Sequence, residues 1–63
     1  MEKTTTCIYK GVKYTYFYET RTRFLFYGSV YYADPVTGAP RFFGRLITTD
    51  PEDLLTYVKS KVD

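Results

Sequence analysis

The sequence predicts an α+β domain in which a small twisted antiparallel sheet of three to five strands packs against one C-terminal helix. Three observations carry this. Runs rich in Thr, Val, Ile, Tyr and Phe recur along the first four-fifths of the chain, broken by Gly and Pro. A helix-start pattern follows at Asp50-Pro51-Glu52-Asp53. The chain has 63 residues and a single cysteine, Cys7, enough for one modest core with no internal disulfide to brace it. A single domain, 1–63, is expected. Eight Tyr and five Phe must supply most of the burial, since each covers a large area at low rotamer cost.

Thr4 to Tyr9 and Val12 to Glu19 are β-rich runs on either side of Lys10-Gly11 and read as a hairpin. Thr20 to Thr22 is polar and fits either a turn or the start of a strand. Arg23 to Ala33 is the longest strand candidate, and Gly28 inside it marks a bulge or sharp bend. Asp34 to Pro40 is a turn between neighbouring antiparallel strands: Pro35 presets its φ, Asp34 bonds local backbone and Gly38 takes positive φ. Arg41 to Thr48 forms the next strand.

Asp50 suits the helix N-cap, Pro51 the first helical position, and Glu52 and Asp53 the positive end of the dipole. Leu54, Leu55, Val58 and Val62 share one face, and Lys59 and Lys61 favour the C-terminal end. At about 11 residues such a helix is marginal alone and must lie on the sheet.

Parity separates the sheet's two faces. Even positions Phe24, Phe26, Gly28, Val30, Tyr32, Phe42, Gly44 and Leu46 form the apolar set expected under the helix. Odd positions mix arginines with aromatics: Arg21, Arg23, Leu25, Tyr27, Ser29 and Tyr31, then Arg41, Phe43, Arg45 and Ile47. A bulge at Gly28 would swap this parity beyond it. An exposed face of this composition is either a solvated surface, with arginine stems lying over rings, or a binding surface. Arginine forks grip phosphates and guanine edges, and aromatic rings stack on bases. Tyr and Arg also dominate the energetics of protein interfaces.

The composition argues against catalysis. There is no histidine, Cys7 has no candidate base, and a lone thiol cannot build a zinc site. Glu52 and Asp53 are accounted for as helix-start charges and Asp34 as a turn residue. The two strand glycines are isolated, so no phosphate-cradling loop is formed. No enzyme activity, metal, cofactor or small-molecule substrate is expected. The apolar runs are too short to span a membrane. The opening Met1-Glu2-Lys3-Thr4 lacks a signal-peptide core, and with one free thiol a reducing, cytoplasmic setting is expected.

Asp34-Pro35, Phe43-Gly44-Arg45-Leu46 and Thr48 to Asp53 look like the second half of plant ethylene-response-factor DNA-binding domains, and Tyr9-Lys10-Gly11-Val12-Lys13 looks like that family's opening segment. The resemblance covers about half the chain; the family's tryptophans are missing and the spacing between the two segments is longer. It implies a three-stranded sheet on one helix with the sheet in the DNA major groove, an arrangement shared with integrase arm-binding domains. On that pattern Lys10, Lys13, Arg41 and Arg45 would touch DNA, with Arg21 and Arg23 as further contacts. Tyr9-Lys10-Gly11 and Leu54-Leu55 also resemble the seven-kilodalton archaeal chromatin proteins, which are far richer in lysine.

A formal charge of +2, with acidic residues gathered near the helix, leaves the sheet more basic than the sum. The sequence therefore predicts a nucleic-acid-binding module, duplex DNA first. Lys10, Lys13, Arg21, Arg23, Tyr27, Tyr31, Arg41, Phe43 and Arg45 are its candidate contacts. The alternative is a protein-interaction module, such as a viral or plasmid-borne inhibitor or adaptor, recruiting a partner or a second copy through a Tyr-rich face or an edge strand.

Overall fold

A computed structural model describes residues 3–63. Four strands, β1 (Lys3–Tyr9), β2 (Val12–Thr20), β3 (Phe26–Ala33) and β4 (Pro40–Thr48), are followed by one helix, α1 (Leu54–Val62). The strands form one antiparallel meander in the order β1-β2-β3-β4, and α1 lies on one face. The molecule is 14 Å across its thinnest axis and 38 Å along its longest, so it is a two-layer structure with one face of the sheet left uncovered.

Each turn follows from local chemistry. Lys10 and Gly11 both take positive φ, at 51° and 79°, as a two-residue turn matched to the twist of its strands requires. At the β3–β4 turn the Asp34 carboxylate accepts the backbone N–H groups of Val36 (2.8 Å) and Thr37 (3.2 Å). Gly38, at φ 77°, donates its N–H to the Asp34 carbonyl at 2.7 Å. These two bonds to Val36 and Thr37, and then Arg41, hold the Asp34 carboxyl below its usual value of 3.8. Folding thus favours the ionised form. That contribution is complete above the usual value and is lost as pH falls through the lowered one. The melting temperature should fall on acidification below about pH 4. Asp34→Ala should be less stable at neutral pH and show a shallower acid slope; an unchanged slope would remove Asp34 from this role.

Three expectations from the sequence are corrected. The third strand starts at Phe26 rather than Arg23. Residues 21–25 instead form a bend closed by the Arg21 N–H on the Leu25 carbonyl at 2.8 Å, and Phe24 stands 73% exposed outside the core. The helix starts at Leu54, with Asp53 rather than Asp50 at its N-cap position. Asp50-Pro51-Glu52-Asp53 is a β-turn, closed by the Asp53 N–H on the Asp50 carbonyl at 3.1 Å; Pro is as well suited to the second position of a turn as to a first helical turn. The bulge lies in β4, not at Gly28. Gly28 pairs in register with Tyr18 and Leu46, whereas Val30 faces Gly44 and Tyr31 faces Phe42, leaving Phe43 as the extra residue.

The core is built on tyrosines. Tyr14, Tyr16 and Tyr18 of β2, with Val30 of β3, bury against Leu54 and Val58 of α1. Leu55 and Val62, expected on the same helix face, are exposed. Tyr16 and Tyr18 stack at 4.9 Å, and the Tyr16 hydroxyl donates to the Leu46 carbonyl at 2.8 Å. No buried side-chain N or O among the described residues lacks a partner. The helix packs closest to β1 and reaches β4 with two long side chains: the Tyr57 hydroxyl donates to the Arg45 carbonyl, and the Lys61 ammonium to that of Phe43. Among the described residues no helix is long and apolar enough to cross a membrane.

Candidate functional site

The uncovered face takes its residues from alternate positions of all four strands. Across its middle, Thr15 of β2 pairs with Tyr31 of β3, and Tyr31 with Phe42 of β4; one row over, Phe17 pairs with Ser29 and Ser29 with Arg45. Phe17, Tyr31 and Phe42 meet edge to face, each neighbouring pair of rings 5.7 Å apart. Phe42 is 56% exposed. A row of aromatic rings therefore crosses three strands on the side facing water. Lys13 and Arg45 flank it. At one end Tyr27 donates its hydroxyl to the Glu19 carboxylate at 2.7 Å while the Arg21 guanidinium lies 5.4 Å from the Tyr27 ring centre. The Glu19 hydrogen bond is the main reason the Tyr27 phenol is held above its usual value. Ile8 and Ile47 add exposed apolar area to the same face.

Of the nine residues singled out from the sequence, Lys13, Tyr27, Tyr31 and Arg45 come together on this face, with Arg21 at its margin. Arg23 is exposed in the β2–β3 bend. Three lie elsewhere. Lys10 sits in the β1–β2 turn, ion-paired with Asp63 at 2.9 Å. Phe43 is on the helix side, packed against Tyr14, Tyr32 and Tyr57. Arg41 pairs in register with Tyr32 on that same side and bonds the Asp34 carboxylate at 3.3 Å. One cause moves the last two: the extra residue in β4 inverts the alternation N-terminal to Gly44, sending Arg41 and Phe43 to the helix side and Phe42 to the open side. Phe42 and Phe17 were both missed. Parity carried across from β3 would have found Phe17, because an antiparallel partner keeps odd with odd in this register. Phe42 needed the bulge.

Among the described residues no cluster of three or more His, Cys, Asp or Glu forms a metal cage. Cys7 is half-buried on the helix side, where burial raises its thiol pKa; this leaves less of the reactive thiolate at neutral pH. No protein family, curated protein or solved structure matches the chain.

Proposed function

We propose that the protein binds nucleic acid on the uncovered sheet face, and that a single strand suits this face better than a duplex. The observation that carries the proposal is the solvent-facing row Phe17–Tyr31–Phe42 with Lys13 and Arg45 at its sides. Rings spaced along a flat surface stack on unpaired bases, and flanking cations follow the phosphates. Two features weigh against a duplex. Four strands about 4.8 Å apart span about 14 Å between outer backbones, more than the roughly 12 Å width of a B-DNA major groove. Arg41, which a groove-bound sheet would want on its face, turns to the other side.

The experiment is a titration of a labelled oligonucleotide against the protein, single-stranded and duplex in parallel, at low and moderate salt. Micromolar single-strand binding that weakens with salt is expected. Phe17→Ala with Tyr31→Ala should weaken it by at least tenfold, given about 1–3 kcal/mol per lost stack, with the far-ultraviolet circular dichroism unchanged. No binding of either form at low salt would defeat the proposal and return the face to a protein partner or a second copy.

A further inference from the structure

The aromatic row is interrupted beside its centre. Ser29, a small residue in the middle of β3, has Phe17 and Arg45 as its cross-strand neighbours and Tyr27 and Tyr31 two positions away along its own strand. The low side chain of Ser29 between taller ones leaves an open cradle of about 670 Å³, which Glu19 also lines. It is walled by rings, floored by a hydroxyl and bordered by one cation and one carboxylate.

The polar groups around it are placed for a ligand with two different edges. Arg45 has no ion-pair partner among the described residues, whose ion pairs are Lys10–Asp63 and Arg41–Asp34. Its guanidinium is a planar fork of donors. Glu19 is held from one side only, by the Tyr27 hydroxyl on one carboxylate oxygen, and its other oxygen remains an acceptor. Glu19 on β2 and Arg45 on β4 lie on opposite sides of β3 and one cross-strand row apart, Glu19 opposite Tyr27 and Arg45 opposite Ser29. They are roughly 12 Å apart at the backbone, a separation that two long side chains close to the width of a bicyclic ring. A cradle wanting an acceptor edge towards Arg45 and a donor edge towards Glu19 describes guanine. Guanine carries acceptors at O6 and N7, and its N1–H and exocyclic amine donate from the neighbouring edge. Adenine presents a donor where Arg45 needs an acceptor, and the pyrimidines are too small to meet both groups.

We infer that the cradle over Ser29 takes one guanine base of a single-stranded nucleic acid, with Arg45 donating to O6 and N7, Glu19 accepting from N1–H and the amine, and the touching pair Phe17 and Tyr31 bordering the ring on one side. This rests on the nucleic-acid reading above and adds a base preference to it. Lys13, on the same face beyond Phe17, is placed to meet the backbone of the adjoining nucleotide.

The test compares an oligothymidylate of about eight nucleotides with the same oligomer carrying one central guanine, for the wild type and Glu19→Gln. The wild type should bind the guanine oligomer about tenfold more tightly, the discrimination of one well-placed bidentate contact. Glu19→Gln should erase most of that preference while leaving oligothymidylate binding equal or stronger, since a negative charge is removed from an exposed position. Equal wild-type affinity for the two oligomers would overturn the guanine cradle and leave the single-strand proposal standing. A preference that survives Glu19→Gln would overturn the assignment of Glu19. Failure of both oligomers to bind at low salt would overturn the cradle and the nucleic-acid proposal together.

Discussion

Replacing Gly28 with alanine is expected to remove most of the protein's stability. Gly28 sits in mid-β3, paired with Tyr18 on one side and Leu46 on the other. A Cβ added there would meet the Phe17 carbonyl group, with the Tyr18 Cα at 2.6 Å and the Phe17 carbonyl carbon at 2.7 Å. These are backbone atoms of the central strand and cannot swing aside as a side chain would. Relief requires β2 and β3 to part in the middle of the sheet, breaking ladder hydrogen bonds above the most buried tyrosines. Overpacking typically costs about 1–3 kcal/mol and occasionally more. With backbone atoms as the obstacle the cost should lie at the upper end, against a core of this size that supplies only about 3–5 kcal/mol in total. Gly44→Ala is the informative control. Its Cβ would meet the Tyr57 hydroxyl and the Lys61 ammonium, the latter at 2.7 Å, and both are free ends of long side chains on α1. It should fold, at a cost of about 1 kcal/mol for displacing the Tyr57 hydrogen bond. Urea melts followed by circular dichroism separate the two; a Gly28→Ala protein within about 0.5 kcal/mol of wild type would show that the strands can open without loss.

Truncating Tyr16 to alanine should be comparably severe, and truncating it to phenylalanine mild. The ring is fully buried, stacked on Tyr18 and closed over by Leu54 and Val58. Removing a buried ring costs about 3–5 kcal/mol, again close to the whole stability of the domain. Tyr16→Phe keeps the ring and loses only the bond to the Leu46 carbonyl, about 1 kcal/mol. The hydroxyl also leaves a signature in pH. Burial first, and Tyr18 beside it second, raise the Tyr16 phenol above its usual value of 10.0. The neutral form is therefore favoured on folding. This contribution is complete below the usual value and lost as pH rises through the raised one. Wild type should lose stability in alkali above about pH 10, and Tyr16→Phe should lose less; identical alkaline profiles would show that Tyr16 ionises as freely as an exposed tyrosine.

Much of the fold was legible because turn chemistry is local. Lys10-Gly11 and Asp34 to Gly38 announced two hairpins, and each turn's bonds lie within its own few residues. The β-rich runs and the final helix followed from composition and period. What could not be read depends on partners distant in sequence. Asp50-Pro51 suits a helix start and a β-turn equally, and the choice is made by the path the chain takes from the end of β4 to the helix side. That tyrosines would supply burial was legible from composition, but not that those of β2 would be the ones; only the helix lying over them, and the Leu46 carbonyl within reach of Tyr16, make them core. The candidate site was half visible for the same reason. Tyr27, Tyr31 and Arg45 lie C-terminal to the bulge in β4 or on the unbroken β3, where alternation holds. Arg41 and Phe43 lie on its far side or on it, where alternation fails.

That extra residue in β4 makes the length of the strand as consequential as its composition. Phe42 and Phe43 are chemically identical neighbours with opposite duties, one turned to solvent beside Tyr31 and the other packed under α1 against Tyr57. A substitution at either position perturbs one face. A deletion of either would do something of another kind: with Gly44 still opposite Val30 and Arg41 still opposite Tyr32, the strand would return to simple alternation, the one remaining phenylalanine would face solvent beside Tyr31, and the ring packed under α1 would be lost. This segment should therefore tolerate changes of letter far better than changes in count, because a deletion at the bulge keeps the open face and takes from the helix side a ring that no neighbouring residue replaces.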